Sequence, residues 1–177
     1  CIRDSRGEPI VDAVVSLTGF SLVGGPAYND TDAAQEMLEA LDVPYLAVQG
    51  LEFQSLQDWE SSSMGLMPVE ATMMVAIPEL DGATGSMVFG GRSELSAGEK
   101  FDMQPAPERI DRLADRVARL VALRHTPIAE RKVAIVLFNF PPNSGAAGTA
   151  AHLSVFESLF NTLSAMREEG YHVDLPD

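Results

Sequence analysis

"KVAIVLFNFPPNSGAAGTAAHLSVFESLF", Lys132 to Phe160, is the stretch whose reading decides the fold. Its aliphatic and β-branched run from Val133 to Leu137 predicts a buried strand. Pro141 and Pro142 close that strand, because neither can donate to a ladder. A small-residue loop follows through Gly145 and Gly148. Then "TAAHLSVFESLFNTLSAMREEG" places Leu153, Phe156, Leu159, Phe160 and Leu163 at helical spacing and ends at Gly170. Strand, glycine loop and helix make the layout of many phosphate sites. A Walker loop, however, needs Lys and Ser/Thr after its last glycine, and here Thr149 and Ala150 follow Gly148. That argues against ATP hydrolysis in this chain.

Working outward, the same alternation continues upstream. "VDAVVSLTGF" (Val11 to Phe20) reads as a buried strand, and "DTDAAQEMLEALD" as a helix capped by Asp30 or Thr31 with Met37, Leu38 and Leu41 as its stripe. "VPYLAVQ" (Val43 to Gln49) is a second strand, and Ser55 caps a helical turn in "SLQDWESSSMG". "MPVEATMMVAIPELDG" reads two ways: a helix from Pro68, or a strand around Val75 and Ile77, ended in either case by Pro78. "GSMVFGG" (Gly85 to Gly91) is a strand, "RSELSAGEKFDMQPAP" a polar loop, and "YHVDLP" the last strand. The plainest helix is "PERIDRLADRVARLVALRH", opened by Pro107 and striped by Ile110, Leu113, Val117, Leu120 and Val121. Its Arg112, Arg116 and Arg119 read either as a basic patch or, in preference, as a solvated face with helical ion pairs. This alternation predicts an α/β fold, a parallel sheet with helices on both faces in Rossmann-like or flavodoxin-like layers. "RHTPIAERK" (Arg124 to Lys132) divides residues 1–125, with their glycine-rich loops, from a strand-loop-helix-strand unit at 126–177. The second unit either completes the same sheet or starts another domain.

Composition narrows the function. Twelve Lys plus Arg stand against 26 Asp plus Glu, a formal charge of −14, which argues against a polyanion such as nucleic acid as a partner. Cys1 is the single cysteine, so no intrachain disulfide forms. No apolar run reaches membrane-spanning length. The opening "CIRDSRGEP" and closing "YHVDLPD" read as the edges of a piece of a larger multidomain polypeptide.

Ligands of α/β sheets sit beyond the C-terminal strand ends. "TGFSLVGGPA", "QGLEFQS" and "NFPPNSGAAGT" are the loops expected there. Gly24, Gly25, Gly145 and Gly148 would allow close backbone approach, and amides near Gly148 and Thr149 would suit a carboxylate or phosphate. His152 stands beside that loop. Plain tight turns are the competing reading. Glu52, Glu79 and Asp81 are carboxylates of the kind that bind Mg²⁺, or else surface acids. His125, His152 and His172 are too scattered to make a Cys/His cluster, and no G-x-S-x-G elbow exists. Met64, Met67, Met73, Met74 and Met87 either fill the core or line a surface for a flat apolar ligand. No catalytic residue emerges.

Four blocks carry a resemblance: "DAVVSLTGFSLVGGPA", "LDVPYLAVQGLEFQSLQDWESSSMGLMPVEATMMVAIPELDG", "VFGGR" and "KVAIVLFNFPPNSGAAGTAAHLSVFESLFNTLSAMREEGYHV". In this order they resemble the large, porphyrin-binding subunits of the CobN/magnesium chelatase family. The "GTAAHL" wording is closer to the magnesium branch than to the cobaltochelatases. The resemblance implies an internal fragment, inactive alone, of an enzyme of (bacterio)chlorophyll synthesis. That enzyme inserts Mg²⁺ into protoporphyrin IX, both as substrates. ATP is used by partner subunits, an AAA+ ATPase and its companion, and is not bound by this chain. A cytoplasmic location follows. Under this resemblance Gly24, Gly25, Gly145, Gly148, Thr149 and His152 become porphyrin-binding candidates, and Glu52, Glu79 and Asp81 metal candidates. Family members often carry an aromatic residue at the place of His152, which weakens that position. A non-catalytic docking segment of the same large polypeptide, a relative of the cobaltochelatase large subunit and a small-ligand α/β module are the alternatives.

Overall fold

Strand β2, Tyr45–Ser55, organises the first part of the chain. Tyr45, Leu46, Ala47, Val48 and Gln49 are buried in succession. Successive strand residues face opposite sides, so both faces of β2 are covered. The computed structural model describes residues 2–25, 28–93, 102–139, 148 and 154–175. It divides into two compact units, Cys1–Ala122 and Leu123–Asp177.

In the first unit β1 (Val14–Ser16) and β3 (Thr84–Ser93) flank β2, both parallel to it, with Val15 opposite Leu46 and Val48 opposite Met87. β4 (Asp102–Pro105) adds to β3 antiparallel, giving the order β1-β2-β3-β4. Register shifts along the β2–β3 pair curl the sheet. One apolar layer joins Leu51, Leu56, Val88 and Ala106 with Trp59 and Leu66. The other joins Tyr45, Ala47 and Ala83 with Val14, Leu22 and Leu38.

The helices follow their local chemistry. α1 (Thr31–Leu41) is capped by Asp30, whose side chain accepts from Ala33 N at 3.0 Å. α2 (Leu56–Ser61) is capped by Ser55 through Asp58 N at 3.0 Å. The two-way stretch is helical throughout: α3 (Pro68–Glu70), a π-helical segment Ala71–Ala76, and α4 (Ile77–Leu80) run on without a break. Val75 and Ile77 therefore make no strand, and Pro78 does not end the helix. Proline lacks an N–H and crowds the carbonyl four residues back. The wider π turns ahead of it remove that conflict and let the helix reach Leu80. α5 is Pro107–His125.

The α/β class is as expected, and several details are corrected. β1 keeps only three residues of "VDAVVSLTGF". "QGLEFQS" is not a loop but the C-terminal half of β2. The polar loop before α5 contains β4, so the sheet is parallel with one antiparallel edge. In the second unit a 3-10 turn (Ile128–Glu130) precedes α6 (Val155–Glu168). Neither 131–138 nor 171–175 is a strand, so the runs "KVAIVLF" and "YHVDL" lack the predicted ladder. Val136 is 92% exposed, so among the described residues no side chain covers it.

Candidate functional site

The C-terminal half of the parallel sheet frames an apolar cavity of about 430 Å³. Leu17 enters it just past the end of β1, Phe89 and Gly91 from β3, Met103 from β4, and Ile110 and Leu113 from α5. Two glycines bring these walls together. A Cβ on Gly90 would lie 2.4 Å from Gln104 O, and one on Gly91 would lie 2.6 Å from Leu51 Cβ. Only glycine lets the β3 backbone close on both neighbours here. The lining is mostly apolar, which suits a hydrophobic ligand whose charged groups stay at the open mouth.

A buried carboxylate fixes the nearby end of β2. Glu70 is fully buried; its Oε1 accepts from Phe53 N at 3.3 Å, and its Oε2 accepts from Met67 N at 3.1 Å and from the Gln54 amide. The side chain thereby ties β2 to the start of α3.

The sequence-derived candidates fall in several places. The glycine loop after β1 does not extend outward; it folds back along the sheet. Leu22 N donates to Asp81 Oδ2 at 2.8 Å, and Leu22 packs with Tyr45 and Ala83 near the starts of β2 and β3. Gly24 has φ +105°, and a Cβ there would meet Tyr28 O at 2.2 Å, so the turn requires glycine. Gly25 (φ +66°) has open space around it and bridges to Ser21. Asp81 is fully buried beside this loop, with Oδ1 unpartnered among the described residues, as is Tyr45 Oη. Burial, opposed by the nearby Ser16 hydroxyl and reinforced by Asp81, raises the Tyr45 phenol above its ordinary value. Glu52 is exposed on the C-terminal part of β2, at the opposite end of the sheet from Asp81, and Glu79 is exposed on α4. The structure thus joins Asp81 to the Gly24–Gly25 loop and leaves Glu52 away from it. Among the described residues no three His, Cys, Asp or Glu gather as a metal cluster.

In the second unit Gly148 (φ +71°) is buried, and its N–H donates to Phe138 O at 2.8 Å, closing the glycine loop. α6 opens at Val155, later than the helix start expected at Thr149. Gly145, Thr149 and His152 lie outside the described residues. Met74 and Met87 are core residues, whereas Met64 and Met67 are exposed. Sequence reasoning missed the cavity residues Leu17, Phe89 and Met103 and the Glu70 clamp. Glu70, two residues after a proline helix start, was open to recognition as the returning acid of a capping box.

Fold and cavity define a class among the described residues: an α/β segment with an apolar cavity at the C-terminal strand ends. The CobN/Magnesium Chelatase family model matches residues 2–177, and the chain belongs to that family. It is 55% identical to the H subunit of magnesium chelatase from Rhodobacter capsulatus, covering 94% of this chain and 15% of that protein. It is also 55% identical to the corresponding protein of Cereibacter sphaeroides, over 99% of this chain and 16% of that one. Among solved structures it resembles the catalytic subunit of cobaltochelatase from Mycobacterium tuberculosis, with TM-score 0.74 and 33% identity over 94% of this chain and 14% of that one. The chain therefore spans about one sixth of the length of these two curated relatives. Among the described residues no helix is long and apolar enough to cross a membrane.

Proposed function

We propose that the chain is a segment of the porphyrin-binding subunit of a magnesium chelatase, which inserts Mg²⁺ into protoporphyrin IX for (bacterio)chlorophyll synthesis. The observation that carries this reading is the identity of 55% to two magnesium-chelatase H subunits, against 33% to the cobaltochelatase structure. The geometry is compatible with it. A macrocycle is flat and apolar with acidic substituents on one edge, and the cavity between β3, β4 and α5 offers an apolar wall open to solvent. Metal insertion requires removal of two pyrrole protons and stripping of water from Mg²⁺, tasks for carboxylates. Exposed Glu52 and Glu79, and Asp81 Oδ1, which has no partner among the described residues, are the groups offered for that role. Backbone around Gly24 and Gly25 in the first unit is one candidate for the propionates, and backbone around Gly145, Gly148 and Thr149, with His152, in the second unit is a separate one. ATP hydrolysis on a partner AAA+ subunit, docking of its companion and a cytoplasmic location belong to the same proposal.

The test is a titration of the chain, and of the full-length protein, with a water-soluble protoporphyrin analogue. Trp59 emission and the porphyrin absorbance band are followed together. Saturable binding with micromolar affinity or better, about −8 kcal/mol, supports the reading. A full-length protein that binds the analogue and, with its partners, inserts Co²⁺ but not Mg²⁺ would overturn the magnesium assignment. Failure of both proteins to bind would overturn the porphyrin role.

A further inference from the structure

α5 carries Arg109, Arg112, Arg116 and Arg119, spaced by three, four and three residues. That spacing puts all four on one flank of the helix. Ser86 and Met87 of β3, with Asp115, complete an open and mostly polar cavity of about 410 Å³ around them. Four of the chain's 12 cationic side chains thus surround one hollow on a protein of formal charge −14. Like-charged groups gathered this way repel one another unless something of opposite charge sits between them.

A merely solvated face would pair its arginines with acids one turn away. Only Arg112 does so, with Glu108. Asp115 stands four residues before Arg119, yet among the described residues the two form no ion pair. Two of the four guanidinium groups, those of Arg109 and Arg116, are instead anchored on the sheet. Arg109 donates to Val88 O at 3.3 Å and lies 5.4 Å from the Trp59 ring centroid. Arg116 Nη1 donates to Gly85 O at 2.8 Å. These anchors occupy one N–H each, and the other donors have no partner among the described residues. The Arg112–Glu108 pair is exposed on both sides and exchanges at little cost. A guanidinium held in place loses less entropy when it receives a ligand, and its fork matches carboxylate or phosphate oxygens.

Dimensions narrow the ligand. Arg116 and Arg119 are about 4.5 Å apart along the axis, and Arg112 and Arg119 about 10 Å. A single monovalent ion would engage only one of these gaps. We propose that this flank of α5 binds a ligand carrying two neighbouring oxyanion groups, a diphosphate or a dicarboxylate, held by Arg112, Arg116 and Arg119. The apolar cavity lined by Ile110 and Leu113 is on the adjoining side of the helix and shares no lining residue with this hollow, so the two are separate.

Isothermal titration of the chain at low ionic strength tests this, with inorganic pyrophosphate in one arm and succinate in the other. Saturable binding of either probe at one site per chain is expected, and the tighter probe identifies the ligand as phosphate or carboxylate. R116A/R119A should weaken binding tenfold or more. R119K, which keeps the charge and loses the fork, should weaken it severalfold. R6A removes a distant exposed arginine paired with Asp4 and should leave binding unchanged. Thermal unfolding accompanies each variant. If the double variant melts early, R119A decides alone, since Arg119 has no hydrogen-bond or ion-pair partner among the described residues whose loss would matter to folding. No saturable binding of either probe, or equal losses in R6A and R119A, would overturn the site.

Discussion

Glu70→Gln keeps the shape of a fully buried side chain and converts one acceptor into a donor. The three groups that meet the carboxylate are Phe53 N, Met67 N and the Gln54 amide nitrogen, and all three donate. Either orientation of the new amide therefore sets an NH₂ against an N–H. The cheaper orientation points it at Phe53, where there is one donor at 3.3 Å, and keeps the carbonyl on the side that serves Met67 and Gln54. One hydrogen bond is then lost with its donor left without a partner, a cost of about 1–3 kcal/mol. Glu70→Ala loses all three bonds and leaves a void, and is expected to cost about 3–5 kcal/mol. Urea unfolding followed by Trp59 emission measures both, since Trp59 packs on the cluster that contains Leu51 and Leu56 of the same region. Native-state hydrogen exchange should show the Phe53 amide loosening first in Glu70→Gln. The reasoning is refuted if Glu70→Gln matches the wild type within about 0.5 kcal/mol while Glu70→Ala is strongly destabilised. Shape, and not acceptor chemistry, would then be what the site requires.

Gly91→Ala should destabilise by about 1–3 kcal/mol in the same assay, because its Cβ would stand 2.6 Å from Leu51 Cβ and 3.0 Å from Leu51 N. Asp30→Ala removes the α1 cap on Ala33 N and should cost about 1 kcal/mol. Tyr45→Phe removes a buried hydroxyl that has no hydrogen-bond partner within bonding geometry among the described residues and should be neutral or stabilising near neutral pH. The Tyr45 phenol is raised above its ordinary value of 10.0, chiefly by burial, so the folded chain holds that proton more tightly than the unfolded chain does. Its contribution is therefore complete below pH 10 and is lost as pH rises from there through the folded value. A pH series of melting temperatures should show that alkaline decline in the wild type and a weaker one in Tyr45→Phe.

What could be read from sequence was what neighbours in the chain decide. Asp30 and Ser55 cap helices because a short polar side chain reaches amides two or three residues on. α5 was visible because its apolar positions repeat over nineteen residues. Strands were harder, because a strand exists only where another chain segment pairs with it. "VPYLAVQ" and "KVAIVLF" have similar composition. The first becomes β2 because β1 and β3 flank it; the second has no pairing partner among the described residues and exposes Val136 and Phe138. β4 was hidden by polar residues, since it lies at an edge and all four of its residues are exposed. The apolar cavity was illegible for a related reason: Leu17, Phe89, Met103 and Ile110 meet only through the curl of the sheet.

The two cavities beside α5 have one origin in the helical period. At 100° per residue, Ile110 and Leu113 fall on one side of the helix, and Arg109, Arg112, Arg116 and Arg119 on the adjoining side. β3 contributes to both hollows in the same divided way: Ser86 and Met87 near its start face the arginines, and Phe89 and Gly91 further on face the apolar side. α5 and β3 must therefore stay in one register for either hollow to keep its lining. Three contacts hold that register, from Ala106 N to Phe89 O at 3.0 Å, Arg109 to Val88 O at 3.3 Å and Arg116 to Gly85 O at 2.8 Å. Two of the three are made by arginines that also line the polar hollow. A ligand that draws Arg116 away from Gly85 would loosen the helix that walls the apolar cavity, and a ligand that leaves this bond in place would brace it. If both hollows take ligands, this shared helix would couple their occupancy, with the sign set by what happens to the Arg116–Gly85 bond.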